Sequence, residues 1–152
     1  MKRSPKSFTH LDSAGAVRMV DIGAKAVTRR IAVAEGRLTC SPETIRLLRA
    51  RGLPKGDVFT VAKIAGIQAA KMTSQLIPLC HPLAVNAVEL TMAVRADGIV
   101  FRATTTTVGR TGVEMEALAA VAVAALTVYD MCKAVDQGMS IGGIRVLEKC
   151  KR

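Results

Sequence analysis

The sequence is poor in aromatic residues: its 152 residues include no Trp, one Tyr and three Phe. Proteins that read single-stranded nucleic acid stack its bases on aromatic side chains, so this scarcity argues against that class. Acidic residues are also few, because 12 Asp and Glu stand against 22 Lys and Arg, a formal net charge of +10. Such an excess favours anionic partners, either phosphorylated metabolites or nucleic acid. Together the two features favour recognition of phosphate over recognition of bases.

Paired cysteines and a membrane-length apolar run are missing as well. The longest apolar run, 117–128, is shorter than the roughly 20 residues that a bilayer requires. The N-terminal segment Met1–Ser7 is basic and polar and leads into no apolar segment. We therefore predict no signal peptide, no membrane partner and a cytoplasmic protein. No C-x-x-C pair occurs, and we expect reduced thiols. The four cysteines are Cys40, Cys80, Cys132 and Cys150.

A metal site is the next feature that the spacing disfavours. Cys80, His81 and Cys132 could supply ligands, but their spacing fits no zinc pattern, and we predict no metal site. Half of the residues are apolar, enough for one domain with a real core. We therefore predict a single domain over 1–152, with 1–10 as a flexible basic arm.

The apolar spacing predicts the order strand, two helices, hairpin, helix, strand. The predicted strands are 30–39, 83–95, 99–108 and 141–147, the predicted helices are 42–52, 57–75 and 111–136, and 17–22 is a further extended candidate. Ser41 is the expected cap of the first helix, and Gly66 predicts close packing of the second. This order is typical of an α+β fold in which helices cover a ferredoxin-like antiparallel sheet.

His81 lies between two prolines, in the run Ile77–Pro82. Proline fixes its own φ and biases its predecessor toward extended backbone, so we expect His81 in a stiff, non-helical turn. A rigidly held imidazole suits a binding or proton-transfer site. A structural histidine in a stiff loop is the alternative, and the local pattern leaves both open.

Two acidic residues, Glu114 and Glu116, lie near the start of the third long helix. Thr111 and Glu114 match a capping box, which would explain Glu114 without any substrate. Glu116 is less easily explained that way, although an acid in a first turn is favourable in any case. A functional role for both acids therefore stays open at this point.

Asp130 and Lys133 share a helix face near the end of the same helix. Either they form a surface ion pair, or they form an acid–base couple in which burial lowers the pKa of the lysine. Glu116 and Asp130 lie on nearly the same face but about 21 Å apart along the axis. If both ends serve one site, the second end must come from a neighbouring chain, so we predict a site shared across a two-fold interface.

Lysines and arginines near helix ends are candidates for phosphate binding. Lys55 and Gly56 precede the second helix, an arrangement suited to an anion, although the Walker pattern is absent. Further candidates lie on that helix and upstream of it: Lys63, Lys71, Lys25, Arg29 and Arg30. The alternative for each is a solvated surface charge.

Six segments in order resemble the molybdenum-cofactor biosynthesis protein C family, and the resemblance spans about 8–149. These segments are Met19–Ile22, Lys55–Phe59, Ala65–Lys71, Ile77–Pro82, Thr111–Leu118 and Tyr129–Ala134. The resemblance implies a ferredoxin-like subunit in a homohexamer, a trimer of dimers with sites at dimer interfaces. It also implies a lyase that converts 3′,8-cyclo-7,8-dihydro-GTP, made by an upstream radical enzyme, into cyclic pyranopterin monophosphate and pyrophosphate. No motif requires a cofactor, and a divalent ion on the triphosphate would be compatible.

The resemblance also implies roles for individual residues. Asp130, Lys133 and Lys55 fall on the acid–base positions of the family, and His81 and Glu114 fall on supporting positions. The residues implied to bind substrate are Leu79, Cys80, His81, Met115, Glu116, Lys71, Arg30 and Lys149. Rival hypotheses are a basic ferredoxin-like module that binds RNA and a regulatory domain that binds a small molecule.

Overall fold

The computed structural model describes residues 10–12, 14–50 and 56–152, which form one four-stranded sheet and four helices. In chain order the elements are β1 (Thr28–Thr39), α1 (Pro42–Ala50), α2 (Val58–Lys71), α3 (Thr73–Leu76), β2 (Ala87–Arg95), β3 (Gly98–Gly109), α4 (Glu114–Cys132) and β4 (Ser140–Lys151). The strand order is β2-β3-β1-β4, and every neighbouring pair is antiparallel. The predicted α+β, ferredoxin-like architecture is confirmed.

The core lies between the sheet and the pair α2 and α4. Alternate side chains of the two central strands point into it, among them Phe101 and Leu38, which are fully buried. Gly66 lets the two helices approach: a Cβ there would lie 2.7 Å from the Ala120 carbonyl oxygen and 2.5 Å from Leu90 Cδ2. The close packing predicted at Gly66 is therefore confirmed.

α4 is the one helix in the described part of the chain with the length and hydropathy of a membrane span. Its buried residues include Ala117, Ala120, Val121, Ala124 and Val128, all with no exposed area. They pack in the same core cluster as the strand residue Ala34. The apolar run therefore belongs to the core helix of this domain.

Two predicted helix starts are confirmed by their capping bonds. The Ser41 hydroxyl accepts a hydrogen bond from the Thr44 N–H at 3.2 Å. Asp57 accepts from the N–H groups of Phe59 at 3.1 Å and Thr60 at 3.2 Å. The predicted end of the first helix at 52–54 and the predicted arm at 1–9 lie outside the described residues.

Other predicted boundaries are wrong by a few residues. The extended candidate 17–22 does not join the sheet, and its only bridge joins Val17 to Leu11. α2 ends at Lys71 rather than Gln75, because the Met72 N–H turns back to two carbonyl oxygens and α3 follows as a separate turn. β2 begins at residue 87, four residues late, because the chain first completes the loop that holds His81.

Candidate active site

A cleft of about 410 Å³ opens at the start of α4. Its walls are the loop after α3, the connection from β3 to α4 with the first turn of α4, and an N-terminal segment. Its volume falls in the range of about 300–1,000 Å³ that is typical of small-molecule pockets. Six of the predicted site residues line it: Leu79, Cys80, His81, Glu114, Met115 and Glu116.

His81 occupies the non-helical loop that the prolines predict. The loop is held at its start, where the Cys80 N–H donates to the Ile77 carbonyl oxygen at 3.0 Å. The ring Nε2 lies 2.7 Å from the carbonyl oxygen of Val20 in the N-terminal segment. A carbonyl oxygen only accepts hydrogen bonds, so Nε2 carries the proton of this bond.

The capping box predicted for Thr111 and Glu114 is wrong. α4 begins at Glu114, its cap position is Val113, and no side chain caps the helix. Instead, the Glu114 carboxylate folds back over Gly112, where a Cβ would clash with it. Glu114 Oε1 lies 3.4 Å from Lys149 Nζ, so the carboxylate meets a cation at the cleft edge.

Glu116 is a buried carboxylate in the cleft, with 4% of its surface exposed. Burial raises its pKa above the ordinary range, the hydrogen bond to its own backbone opposes that shift, and the nearby charge of Glu114 adds to it. The pKa of the Cys80 thiol is also raised, first by burial and then by the Glu116 charge. The cleft therefore disfavours the charged forms of both groups.

A second cleft of about 310 Å³ adjoins the first, since Gly112 and Glu114 line both. It brings together Arg30, Lys149 and Lys151. The guanidinium group of Arg30 donates to the carbonyl oxygens of Gly109 at 3.2 Å and Arg110 at 3.1 Å, which fixes it to the end of β3. Three cations around one recess suit a phosphate group.

Asp130 and Lys133 lie at the opposite end of α4, with 2.7 Å between Asp130 Oδ1 and Lys133 Nζ. Both side chains are more than half exposed, at 59% and 57%. The hydrogen bond from Lys133 to Asp130, followed by the charge of Asp130, raises the pKa of Lys133. The expectation that burial lowers this pKa is therefore wrong for the single protomer.

Lys71, a further predicted phosphate contact, lies apart from the two clefts. Lys55 lies outside the described residues, but Gly56 and the cap residue Asp57, which follow it, lie at the start of α2. Lys71 is the exposed last residue of α2 and lines neither cleft. Because Glu116 and Asp130 are about 21 Å apart along α4, one protomer does not bring Asp130 and Lys133 to its own cleft.

Several lining residues were not predicted as site residues. They are His10, Val20, Ile22, Leu83, Thr111 and Gly112. The family-like segments Met19–Ile22 and Thr111–Leu118 include four of these residues. Lys25 is one of the candidate cations of the sequence and lines the cleft, but a loop residue gives no periodic signal that would place it near His81. Among the described residues, no cluster of three or more metal-ligating side chains occurs.

These features define a class: a ferredoxin-like α+β domain in which an acid-lined cleft, typical of small-molecule binding, adjoins a cation-rich recess. The comparison with known proteins is more specific. The profile of the MoaC family matches residues 19–151, and the chain belongs to this family.

Named relatives are similar over nearly the whole chain. A cyclic pyranopterin monophosphate synthase of Novosphingobium aromaticivorans is 57% identical over 142 residues, 93% of this chain and 90% of the relative. A protein of the same name from Streptomyces avermitilis is also 57% identical, over 93% of this chain and 84% of its own length. A molybdenum cofactor biosynthesis bifunctional protein of Chlorobaculum tepidum is 58% identical over 93% of this chain, which corresponds to 46% of that protein.

Proposed function

We propose that this chain converts 3′,8-cyclo-7,8-dihydro-GTP into cyclic pyranopterin monophosphate and pyrophosphate, as a lyase of molybdenum cofactor biosynthesis. One observation carries the proposal: in a MoaC family member, six predicted site residues line one cleft, and a cation-rich recess adjoins it. The cleft suits a small ring system, and the recess suits phosphate. The upstream radical enzyme that makes the cyclised nucleotide would supply the substrate in the cytoplasm.

The chemistry divides between ring rearrangement and phosphate cyclisation. Opening and re-forming the base ring requires paired protonation and deprotonation, which Asp130, Lys133 and Lys55 would share. Closing the cyclic phosphate requires a neutralised α-phosphate and a stabilised pyrophosphate leaving group. Arg30 and Lys149 would give that electrostatic help, with Lys71 as a further phosphate contact.

The remaining predicted residues would form the pocket for the ring. Leu79 and Met115 supply apolar walls, while Cys80 and Glu116 supply groups whose pKa values are raised by burial. His81 and Glu114 support the site from the loop and from the first turn of α4. No step of this scheme needs a resident cofactor, and a divalent ion carried by the triphosphate is compatible with it.

The two groups of residues would meet between neighbouring copies. The acid–base pair lies at one end of α4 and the cleft at the other, about 21 Å away. A two-fold axis can bring the Asp130 end of one copy to the cleft of the next, which completes two equivalent sites per dimer. We propose that three such dimers form a homohexamer.

An RNA-binding module is the alternative, and the position of Phe101 disfavours it. RNA-binding sheets of this plan present aromatic rings on the open face for stacking. Phe101 has no exposed area and packs in the core. Within the described strands no other aromatic residue occurs.

The direct test supplies the cyclised nucleotide to the purified protein and follows the pterin product by mass and pyrophosphate by a coupled assay. We expect both products in equal amounts. Salt-sensitive RNA binding without either product would contradict the proposal and favour the alternative. Nucleotide binding without product would instead favour a regulatory domain.

A further inference from the structure

We propose that His81 is a positioning residue: its Nε2–H holds an N-terminal strap (residues 10–12 and 14–27) across the cleft and so places Lys25 in the cleft wall. The kinetic part of this inference rests on the proposed function. The structural part does not, because it concerns a contact of the protein alone.

The strap has little else to hold it. It contains no helix or ladder strand, only the bridge between Leu11 and Val17. Its apolar side chains Val17 and Met19 are 71% and 50% exposed, whereas Val20 and Ile22 are half-buried and line the cleft. Among the apolar side chains of the strap, burial is therefore concentrated at these two neighbouring positions.

The hydrogen bonds of the strap indicate the same attachment point, near Val20. Arg18 N–H donates to the His10 carbonyl oxygen, and Lys25 N–H donates to the Ile22 carbonyl oxygen. In the described part of the chain, every strap hydrogen bond stays within the strap except the one between His81 and Val20, at 2.7 Å. The one polar link to the domain therefore falls in the middle of the apolar contact.

The partner side of this link is rigid. His81 follows Pro78 and precedes Pro82, and the Cys80 N–H bond closes the turn before it. Loss of the link would therefore release the strap rather than move the loop.

Release would change the charge of the cleft. Glu114 and Glu116 line it together with Lys25, which the strap carries. An anionic substrate that enters beside the Glu114 carboxylate needs a cation close by. The Lys25 ammonium supplies it only while the strap is closed, so His81 acts on the reaction through Lys25.

Two substitutions separate this role from proton transfer by the ring. His81→Gln retains an N–H near the position of Nε2 but has no titratable nitrogen. His81→Asn retains a polar atom near Nδ1 and is too short to reach Val20. Asn86→Ala is a matched control, because it removes another 2.7 Å bond between a side chain and the backbone, away from the strap.

Trypsin cleavage after Arg18 and Lys25 measures strap opening in the purified protein, with the fragments mapped by mass. We expect His81→Asn to be cut about three- to tenfold faster than wild type, the range for one lost hydrogen bond. His81→Gln and the Asn86→Ala control should remain within twofold of wild type. Equal cleavage of the Asn variant and wild type, or fast cleavage of the Gln variant, would overturn the proposal.

A measurement on the unsubstituted protein tests the same contact and does not depend on whether the variants fold. His10 and His81 are the only histidines, so ¹⁵N-labelled imidazole signals are few. We expect the neutral His81 ring to carry its proton on Nε2. A proton on Nδ1 would contradict the contact with Val20.

Kinetics with the cyclised nucleotide complete the test. We expect kcat/KM to fall at least about tenfold further in His81→Asn than in His81→Gln. A Gln variant with a closed strap and activity as low as that of the Asn variant would show that the ring itself transfers a proton. Wild-type protein that forms no product would contradict the proposed function, while the cleavage and imidazole results would still decide the role of the strap.

Discussion

At the scale of single residues, Asp130 is exposed enough for its chemical role to be separated from folding. Asp130→Asn preserves shape and removes the carboxylate, so we expect kcat for pterin formation to fall more than about 100-fold, the usual contribution of a general acid or base. Its exposure of 59% predicts an unchanged Tm. Glu43→Gln is the matched control, because Glu43 and Arg46 form another exposed i,i+3 pair. Turnover that persists in Asp130→Asn would exclude Asp130 from the chemistry.

Substitution of Glu116, unlike that of Asp130, should change stability as well as activity. Its pKa is raised by burial, so the charged form costs free energy in the folded state at neutral pH. Glu116→Gln should therefore increase the free energy of unfolding at pH 7 by about 1 kcal/mol, while turnover falls because the cleft loses an acid.

Urea unfolding at two pH values checks the sign of the stability difference between Glu116→Gln and wild type. Below the pKa of the unfolded chain both states of wild type are protonated, so the advantage of Glu116→Gln should vanish near pH 3. Above the raised folded pKa the advantage should be complete. A Gln variant that is less stable than wild type at pH 7 would contradict the assignment of a costly buried charge.

At the scale of elements, the Asp136 carboxylate links the segment that follows α4 to the start of α1. Asp136 accepts hydrogen bonds from Ser41 N–H at 2.7 Å, the Thr44 hydroxyl at 3.0 Å and Gly138 N–H at 3.0 Å. The bond from the Ser41 backbone is the main cause that lowers the pKa of Asp136. A lowered pKa means that the contribution to stability is present above the ordinary pKa and is lost as the pH falls through the folded value.

Asp136→Asn should therefore cost about 1–2 kcal/mol of unfolding free energy at pH 7, because an amide accepts from one side only. The difference from wild type should shrink below about pH 4, where the carboxyl of the unfolded chain becomes protonated while the folded chain still holds the carboxylate. Urea titrations at pH 7 and pH 3 measure both values. A difference of the same size at pH 3 would show that the carboxylate charge does not stabilise this junction.

The elements themselves could be predicted because their signals are local. Alternation in 99–108 and helical spacing around Gly66 report burial directly, and the caps Ser41 and Asp57 mark helix starts. The start of α4 could not be placed, since Thr111 and Glu114 fit a cap by sequence while Glu114 turns to Gly112 and Lys149. A contact between residues 35 apart in the chain leaves no local pattern.

At the scale of the whole molecule, the sequence predicts two separate groups of candidate site residues, one at each end of α4. The family-like segments identify the residues that line the cleft, and helix geometry alone separates Glu116 from Asp130. The path of the strap past the cleft, which brings Lys25 and His10 to its wall, could not be predicted, because the strap is irregular and reaches the cleft only through tertiary contacts.

The proposed two-fold site makes a quantitative prediction for mixed oligomers. In a dimer of Asp130→Asn with Glu114→Gln, one site holds both substitutions and the other holds neither. Random subunit exchange should therefore restore about a quarter of wild-type turnover to two inactive proteins, because half of the dimers are mixed and each has one intact site of two. Asp130→Asn mixed with Lys133→Ala is the control: both changes lie at the same end of α4, so every site of the mixed dimer carries one of them and stays inactive. Exchange confirmed by mass without recovery in the first mixture would contradict a site shared between copies.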